Sequence, residues 1–228
     1  MDTPTTNVQK KTRRNKVHLR KTLKNNPNKT THFESLFHGF NGKTGVDSEK
    51  YKGHHITYGE ITERGLHLCS KLFEKYNPLD KVPLENRNFY DLGCGLGKFV
   101  IGMSILHPQL RSIGIDIVEE RVGQARQALD RVPSKTVQKR STFHVGSFLE
   151  DRFHFNNACW IFVSNLCIGD DVLTPLLIKL RTEMRPGSIL LCSRDFPEAE
   201  NSGFVKRELS SVPMTWTDKS NIIVYQRV

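Results

Sequence analysis

The chain has 228 residues, of which 37% are hydrophobic and 25% charged, and this composition supports one well-buried core. Its formal net charge of +10 is uneven: residues 1–30 contain nine lysines or arginines and one acid, whereas residues 31–228 contain 25 bases and 23 acids. No apolar run approaches the roughly 20 residues that span a bilayer, and five scattered cysteines without a Cys-x-x-Cys pair argue against structural zinc. We therefore expect one folded domain with reduced thiols, no metal, no membrane contact and no secretory signal.

Residues 1–30 are predicted to form a disordered basic arm, because their few scattered aliphatic residues bury too little surface to offset the entropy of ordering. The expected partner is the phosphate backbone of a nucleic acid. A nuclear import signal, a solvated tail without a partner and a mitochondrial presequence are the alternatives. The bases assigned to nucleic-acid binding are Lys10, Lys11, Arg13, Arg14, Lys16, Arg20 and Lys21.

From residue 58 onward, helical periods alternate with short apolar runs. The pattern predicts strands at 88–92, 112–117, 143–148, 158–163 and 188–193, with helices at 60–76, 98–106, behind residue 118 and around 173–184. Five alternations imply right-handed crossovers and a doubly wound, mostly parallel α/β sheet. The runs 214–217 and 222–225 flank a polar turn at 218–221, which predicts a terminal antiparallel hairpin and seven strands in all.

A glycine-rich turn, Gly-Cys-Gly-Leu-Gly at 93–97, directly follows the first predicted strand. Such a turn lets a nucleotide-like ligand approach the backbone beside a helix N-terminus. Asp116 closes the second strand 25 residues after Asp91, where an acid can accept both ribose hydroxyls. A dinucleotide pyrophosphate disfavours a neighbouring carboxylate, whereas the ammonium of S-adenosylmethionine favours one. Asp91 therefore favours S-adenosylmethionine, with helix caps or loop acids as the alternative role for both residues.

The fourth strand ends in the polar pair Ser164-Asn165. Methyltransferases that act on nucleobase or amide nitrogens usually carry Asn/Asp-Pro-Pro-aromatic at this point, and this chain does not. The carboxyl end of a buried strand is where the transferable methyl group is expected. Asn165 is thus a candidate for the reaction site, and a turn residue bonded to its own backbone is the alternative.

Six motifs occur in a fixed order along the chain: Tyr58-Gly59-Glu60, residues 91–97, Gly146-Ser147-Phe148-Leu149, residues 161–165, Gly187-Ser188-Ile189 with Phe196, and Thr215-Trp216-Thr217. Together they resemble the disruptor of telomeric silencing family, the non-SET lysine methyltransferases that modify the globular core of histone H3 on nucleosomes. The resemblance covers about residues 50–228 and implies a class I, Rossmann-like methyltransferase domain at 58–228, preceded by a connecting segment at 31–57. It also implies a nuclear enzyme whose basic arm contacts nucleosomal DNA.

The resemblance also implies a role for each matching residue. The methionine end of S-adenosylmethionine would contact Tyr58, Glu60, Asp91, the backbone of Gly93 and Gly95, and nearby Lys98. Asp116 would bind the ribose, Ser147 and Phe148 would border the adenine, and Asn165 would line both the cofactor site and, with Trp216, a channel for the target lysine. Two departures from the family pattern stand out: Ser147 replaces an aspartate, and the span 197–213 is short for a loop that reaches the nucleosome's acidic patch.

Two other functions remain open from the sequence. The same cofactor could serve a methyltransferase that acts on RNA or on a non-histone protein, which the basic arm would suit equally well. A catalytically silent chromatin-binding module is the alternative from another class. The oligomeric state is not determined by these patterns.

Overall fold

A computed structural model describes residues 32–54 and 56–228; the predicted basic arm lies outside these ranges. The core is a seven-stranded sheet with the order β3-β2-β1-β4-β5-β7-β6. Strands β1 to β5 pair in parallel, and β7 is antiparallel to both β5 and β6. The predicted seven-stranded, doubly wound sheet with a terminal hairpin is therefore confirmed. The strands are β1 Asn88–Leu92, β2 Arg111–Asp116, β3 Ser141–Val145, β4 Ala158–Val163, β5 Ile189–Cys192, β6 Phe204–Met214 and β7 Thr217–Arg227.

Six α-helices belong to the described residues, and they cover the two faces of the sheet unequally. The second to fifth helices contribute to one large apolar cluster, while the sixth packs with loop aromatics such as Phe155 and Phe196 on the other face. The helices are α1 His32–Ser35, α2 Glu63–Tyr76, α3 Lys98–Leu106, α4 Glu119–Asp130, α5 Lys135–Arg140 and α6 Asp170–Glu183.

The central strand β4 shows why this sequence forms a two-sided sheet. All six of its residues are buried. Trp160 and Phe162 point into the cluster with α2 and α3, whereas Ile161 and Val163 belong to the opposite cluster with α6. A continuous apolar run is therefore the expected pattern for a parallel strand covered on both faces.

The hairpin differs from the prediction. The polar residues 218–221 lie within β7, and the turn consists of Thr215 and Trp216, because Met214 pairs with Thr217. Residues 204–213, predicted as loop, form most of the long edge strand β6. Solvent covers one side of an edge hairpin, so its strands carry polar residues that are also typical of turns. Strand β3 likewise begins two residues earlier than predicted, and helices α1 and α5 were not predicted.

The connecting segment packs tightly on α4 instead of standing apart from the domain. Phe33, Leu36 and Phe37 are at most 5% exposed and join the main core cluster. Arg121, only 5% exposed, donates from Nε to the carbonyl of Gly42 at 2.8 Å and from Nη2 to that of Ile56 at 2.7 Å. The segment is therefore fixed over the carboxyl edge of the sheet.

Within the described residues, no helix is long and apolar enough to cross a bilayer, and no group of three or more His, Cys, Asp or Glu could hold a metal ion. All five cysteines are free thiols, and Cys167 is the exposed one.

Candidate functional site

The strand order reverses at β1, which has β2 on one side and β4 on the other. Open α/β sheets bind ligands in the crevice beyond the carboxyl ends of the strands at such a switch point. A cleft lies there. Four segments line it: residues 58–61, the end of β1 with the following turn and the start of α3, the end of β4, and the β6–β7 turn.

The glycine-rich turn forms the floor of the cleft. Gly93, Gly95 and Gly97 all have positive φ, at 86°, 51° and 76°. A side chain at Gly95 would also collide with Tyr58, since a Cβ atom there would lie 2.8 Å from its ring. Glycine at these positions therefore keeps the loop both folded and open to a ligand.

Asp91 supplies a buried acid to the floor of the cleft. The residue is 4% exposed, and no described residue donates a hydrogen bond to its carboxylate. Burial, with a smaller contribution from the charge of Asp116, raises the pKa of Asp91 well above its usual value. A buried carboxylate without a partner is costly unless a cation neutralises it, so this position fits an ammonium group.

Asp116 lies at the end of β2 and organises the turn. Its two carboxylate oxygens accept hydrogen bonds from the backbone N–H groups of Gly95 and Val118, each at 2.8 Å. Burial raises the pKa of Asp116, and these two hydrogen bonds oppose that rise. Each oxygen keeps a second lone pair, so Asp116 can still accept a hydroxyl, as expected for a ribose contact.

A chain of polar contacts forms one wall of the cleft. The hydroxyl of Tyr58 donates to Glu60, and Nζ of Lys98 pairs with Glu60 at 2.7 Å and with Glu34 at 3.1 Å. Burial disfavours the charged form of Lys98, but the hydrogen bonds and charges of Glu60 and Glu34 outweigh it and raise the pKa of Lys98. The site thus holds a fixed cation beside two acids, Asp91 and Glu60. That arrangement matches the carboxylate and ammonium of an amino-acid ligand.

The opposite wall comes from the hairpin turn and the end of β4. The Trp216 ring lies against the backbone of Gly59, where a Cβ atom would sit 2.3 Å from the ring. The turn is bonded to Glu60, whose carbonyl accepts from the N–H of Thr215 at 2.9 Å. Trp216 lines the cleft yet remains 44% exposed. Together with Phe162 and Ser164, it lines this part of the cleft.

Asn165 does not line this cleft, and its expected position is corrected. Its side chain is fully buried, and its Oδ1 accepts from the backbone N–H groups of Ser193 and Arg194, both at 2.9 Å. Its Nδ2 donates to the carbonyl of Arg194 at 3.0 Å. The amide therefore ties the end of β4 to the segment after β5. These side-chain hydrogen bonds reach the segment after β5, whereas the alternative from the sequence was a hydrogen bond from Asn165 to the backbone of its own turn.

Ser147 and Phe148, expected to border the adenine, also lie outside the cleft-lining set. The N–H of Ser147 donates to Glu150 at 2.6 Å, and Phe148 is 9% exposed and packs in the core cluster with α6. Their role at an adenine stays a prediction. The predicted residues that the structure does bring together are Tyr58, Glu60, Asp91, Gly93, Gly95, Lys98 and Trp216.

Three important residues were missed. Arg121 holds the connecting segment and lies with its guanidinium carbon 4.7 Å from the centre of the Tyr58 ring. Phe162 belongs to the motif at 161–165 but was assigned no role of its own, and it faces the cleft; Arg194 stabilises the loop after β4. An arginine on a predicted apolar helix face was a detectable signal for Arg121. The other two depend on which strands are neighbours.

About a third of the chain matches a family model. Residues 85–160 match the model of a putative methyltransferase family. This region ends within β4, so it contains Asp91 and Asp116 but neither Ser164 nor Trp216.

Two curated proteins are similar over part of the chain. A tRNA (guanine-N(7)-)-methyltransferase of Leuconostoc citreum is 35% identical over 78 residues, 34% of this chain and 31% of that protein. A protein-lysine N-methyltransferase of Saccharolobus islandicus is 29% identical over 99 residues, 43% of this chain and 56% of that protein. The chain therefore spans less than two thirds of either relative.

Solved structures share the fold over about 70% of the chain. An RNA methyltransferase from Salinibacter ruber in complex with S-adenosyl-L-homocysteine aligns with a TM-score of 0.50 and 19% identity, over 69% of this chain and 90% of that one. The glycopeptide N-methyltransferase MtfA with S-adenosyl-L-methionine aligns at 0.53 and 12% identity, over 72% of this chain and 94% of that one. The fold is that of the class I methyltransferases. S-adenosylmethionine is the cofactor of this fold, in agreement with the sequence prediction, and Asp91, Glu60 and Lys98 fit its amino-acid end.

The resemblance to the disruptor of telomeric silencing family is wrong. The family model over residues 85–160 and the relative with 35% identity belong to other methyltransferases. The motifs that suggested it include the Asp-Leu-Gly-x-Gly-x-Gly turn, which class I methyltransferases have in common. Specificity for histone H3 has no support from these comparisons.

Proposed function

We propose that the protein is an S-adenosylmethionine-dependent N-methyltransferase that methylates lysine side chains of proteins. The observation that carries the choice of acceptor is an acidic rim on the two segments that follow β4 and β5, the first of which contributes Ser164 to the cleft. Residues 164–171 and 193–203 contain five exposed carboxylates and one guanidinium, a net charge of −4. Lys206 of β6 pairs with Asp195 at 2.8 Å, so the surface keeps a net charge of −3. The acidic rim consists of Asp170, Asp171, Asp195, Glu198 and Glu200.

The rim argues for a cationic acceptor. Its two stretches follow β4 and β5, which are parallel neighbours, so both lie at the carboxyl edge with the cleft. The ion pair between Arg194 and Asp170, at 2.7 Å, links them directly. A negative rim attracts a lysine in a basic protein segment and repels nucleic-acid phosphates.

In the proposed reaction, one set of cleft residues binds the cofactor and another set contacts the lysine. When bound, S-adenosylmethionine supplies an electrophilic methyl group on a sulfonium. Asp91 and Lys98 hold its amino-acid end, and Asp116 fixes the glycine turn and offers an acceptor to the ribose. The apolar surfaces of Trp216 and Phe162 desolvate the incoming lysine, which lowers its pKa and favours the neutral, nucleophilic amine. Alignment of the amine with the methyl group then supplies much of the rate.

Methylation of RNA is the second candidate function. It is favoured by the similarity to the tRNA (guanine-N(7)-)-methyltransferase and by the net +8 of residues 1–30. Both curated relatives are named for transfer to nitrogen. The two candidates differ in the surface that meets the acceptor, since RNA requires a positive one.

The test offers protein and RNA acceptors side by side. Protein and RNA extracts are each incubated with the full chain and methyl-labelled S-adenosylmethionine, and the label is mapped by mass spectrometry. Label on lysine Nζ is expected. Label confined to guanine or another base would contradict the proposal and support the second candidate.

A double variant tests whether the acidic rim binds the acceptor. In the double variant Asp171→Asn with Glu200→Gln, we expect KM for a basic lysine peptide to rise about fivefold, because two surface charges are removed. The matched control is Asp80→Asn with Glu85→Gln, two exposed acids in the short turns before β1, at the opposite edge of the sheet. Equal KM in both double variants would show that the rim does not bind the acceptor.

A further inference from the structure

We infer that Asn165 and Arg194 are positioning residues that together hold the acceptor wall of the cleft. The inference rests on the function proposed above. It assigns to Asn165 a role through its neighbours instead of through contact with the cofactor or the substrate, and it adds Arg194, which no sequence motif singled out. We refer to these two residues and the backbone groups that they bond as the clasp.

Asn165 provides the buried half of the clasp. All three of its side-chain hydrogen bonds cross from the end of β4 to the backbone of Ser193 and Arg194, at 2.9 to 3.0 Å. The residue is completely buried, so each of these bonds is shielded from water. Loss of the amide would leave two N–H groups and one carbonyl unpaired in the interior.

Arg194 provides the other half of the clasp, because its side chain bonds the backbone of the segment after β4. Its Nε donates to the carbonyl of Asn165 at 3.1 Å, and its Nη2 donates to the carbonyl of Ile168 at 2.7 Å. The planar guanidinium can bond both carbonyls at once, which a lysine ammonium cannot do with the same geometry. The two residues thus bond each other's backbone in both directions.

The clasp lies just beyond the point where strand pairing between β4 and β5 ends. The ladder between β4 and β5 ends at the pair Val163 and Cys192, so the next residues have no strand pairing. Ser164, which lines the cleft, and Leu166, which is 43% exposed, belong to this unpaired stretch. The clasp therefore replaces the ladder and sets the position of the surface that an acceptor meets.

The clasp is separate from the cofactor half of the cleft. Asp91, Asp116 and the glycine turn belong to β1 and β2, and Tyr58 and Glu60 precede α2. None of these residues bonds to Asn165 or Arg194 within the described chain. Loss of the clasp should consequently weaken acceptor use and spare cofactor affinity.

The experiment compares Asn165→Ala and the milder Arg194→Lys with the wild-type chain. Arg194→Lys keeps the positive charge and removes the planar fork, so it tests the clasp even where Asn165→Ala fails to fold. We expect hydrogen exchange of residues 164–169 to become about tenfold faster or more in each variant, with S-adenosylhomocysteine affinity within about twofold by calorimetry. For the lysine acceptor we expect a rise of about tenfold in KM in Arg194→Lys, with a smaller fall in kcat.

The matched control is Arg185→Lys, since Arg185 also donates from Nε to a backbone carbonyl, that of Asn156 at 2.6 Å, beyond the far end of α6. It should leave both readouts at the wild-type value. Unchanged exchange of 164–169 in Arg194→Lys, or equal loss of cofactor affinity and acceptor use, would overturn the clasp. A wild-type chain that binds S-adenosylhomocysteine but methylates no lysine overturns the proposed function, and the exchange result then decides the clasp alone.

Discussion

At the scale of single residues, Asp91 is the buried carboxylate that we propose to bind the ammonium group of the cofactor. It lacks a hydrogen-bond donor among the described residues and lies 4% exposed on the floor of the cleft. Its burial is therefore a cost in the free protein that an ammonium group removes. The fold carries this cost in exchange for affinity, as is common at binding sites.

The variant Asp91→Asn tests this role. Without the anionic partner, we expect affinity for S-adenosylhomocysteine to fall about 100-fold, while the thermal midpoint of the free protein does not fall, because a neutral amide is cheaper to bury. Calorimetry and thermal unfolding measure the two effects. The control is Asp130→Asn, an exposed acid at the end of α4. Unchanged affinity in Asp91→Asn would remove Asp91 from the cofactor site.

The raised pKa of Asp91 also predicts a pH dependence. Acidification protonates Asp91 at a higher pH than an ordinary aspartate, so affinity for S-adenosylhomocysteine should fall as the pH is lowered through that raised pKa. For the free protein the sign is opposite: stability associated with Asp91 is fully present below the usual pKa of 3.8 and is lost as the pH rises through the raised value. Calorimetric titrations over a pH series check the first effect, and Asp91→Asn should remove the slope.

Sequence reasoning placed Asp91 and the glycine turn at the cleft because their geometry is local. Asp91 and the glycine turn are adjacent in the chain, and a strand followed by a turn and a helix places them without further information. Asn165 could not be placed in the same way. Its neighbours Ser193 and Arg194 lie 28 and 29 residues away, and its burial depends on how two strand ends diverge.

At the scale of elements, the connecting segment and α4 behave as one unit. Arg121 donates to the carbonyls of Gly42 and Ile56, and Tyr51 accepts from the N–H of Glu119 at 3.0 Å while donating to Glu120 at 2.6 Å. These contacts place Tyr58 and Glu60 over the glycine turn. The first wall of the cleft is therefore positioned from a helix that does not itself line the cleft.

Arg121→Met is the sharpest test of this unit. It leaves two carbonyls without their charged donor, so we expect the free energy of unfolding to fall by about 2 kcal/mol, with weaker S-adenosylhomocysteine binding and faster proteolysis in residues 41–57. Urea denaturation, calorimetry and limited proteolysis measure the three effects. Arg126→Met is the control, because Arg126 lies on the same helix but, among the described residues, donates only to the carbonyl of Phe143. Equal behaviour of both variants would contradict the coupling.

The sequence pattern predicted the β6–β7 hairpin but placed its turn at the wrong residues. Its turn, Thr215-Trp216, contains no glycine or asparagine, and neither residue has positive φ. The turn forms there because Glu60 bonds Thr215 and Ile61 bridges Met214, both contacts to a distant segment. Local turn preferences instead favour the polar residues 218–221, which lie within β7.

At the scale of the whole molecule, opposite charges occupy different parts of the chain. Residues 1–30 carry a net +8, while the rim segments 164–171 and 193–203 carry −4. We propose that the basic arm binds a polyanion associated with the acceptor while the acidic rim receives the lysine itself. A nuclear location and a nucleic-acid partner for the arm stay predictions from the sequence.

Removal of residues 1–30 tests the arm. We expect weaker binding to nucleic acid and a smaller slope of log affinity against log salt, because each lost phosphate contact removes about one unit of slope. The rate of methyl transfer to an isolated lysine peptide should not change, since the arm precedes the domain that holds the cleft. Fluorescence anisotropy across a salt series measures the slope. An unchanged slope would limit the arm to targeting.

The contact between Thr215 and Glu60 has a consequence for synthesis of the protein. Residues 213–216 emerge from the ribosome more than 150 residues after the segment that they bond, at 58–62. The glycine turn and its acids can form as soon as β1 to β4 have paired, but the wall that carries Trp216 closes only when the last strands have been made. A nascent chain therefore contains the glycine turn and its acids well before it contains the hairpin turn whose Trp216 packs against Gly59.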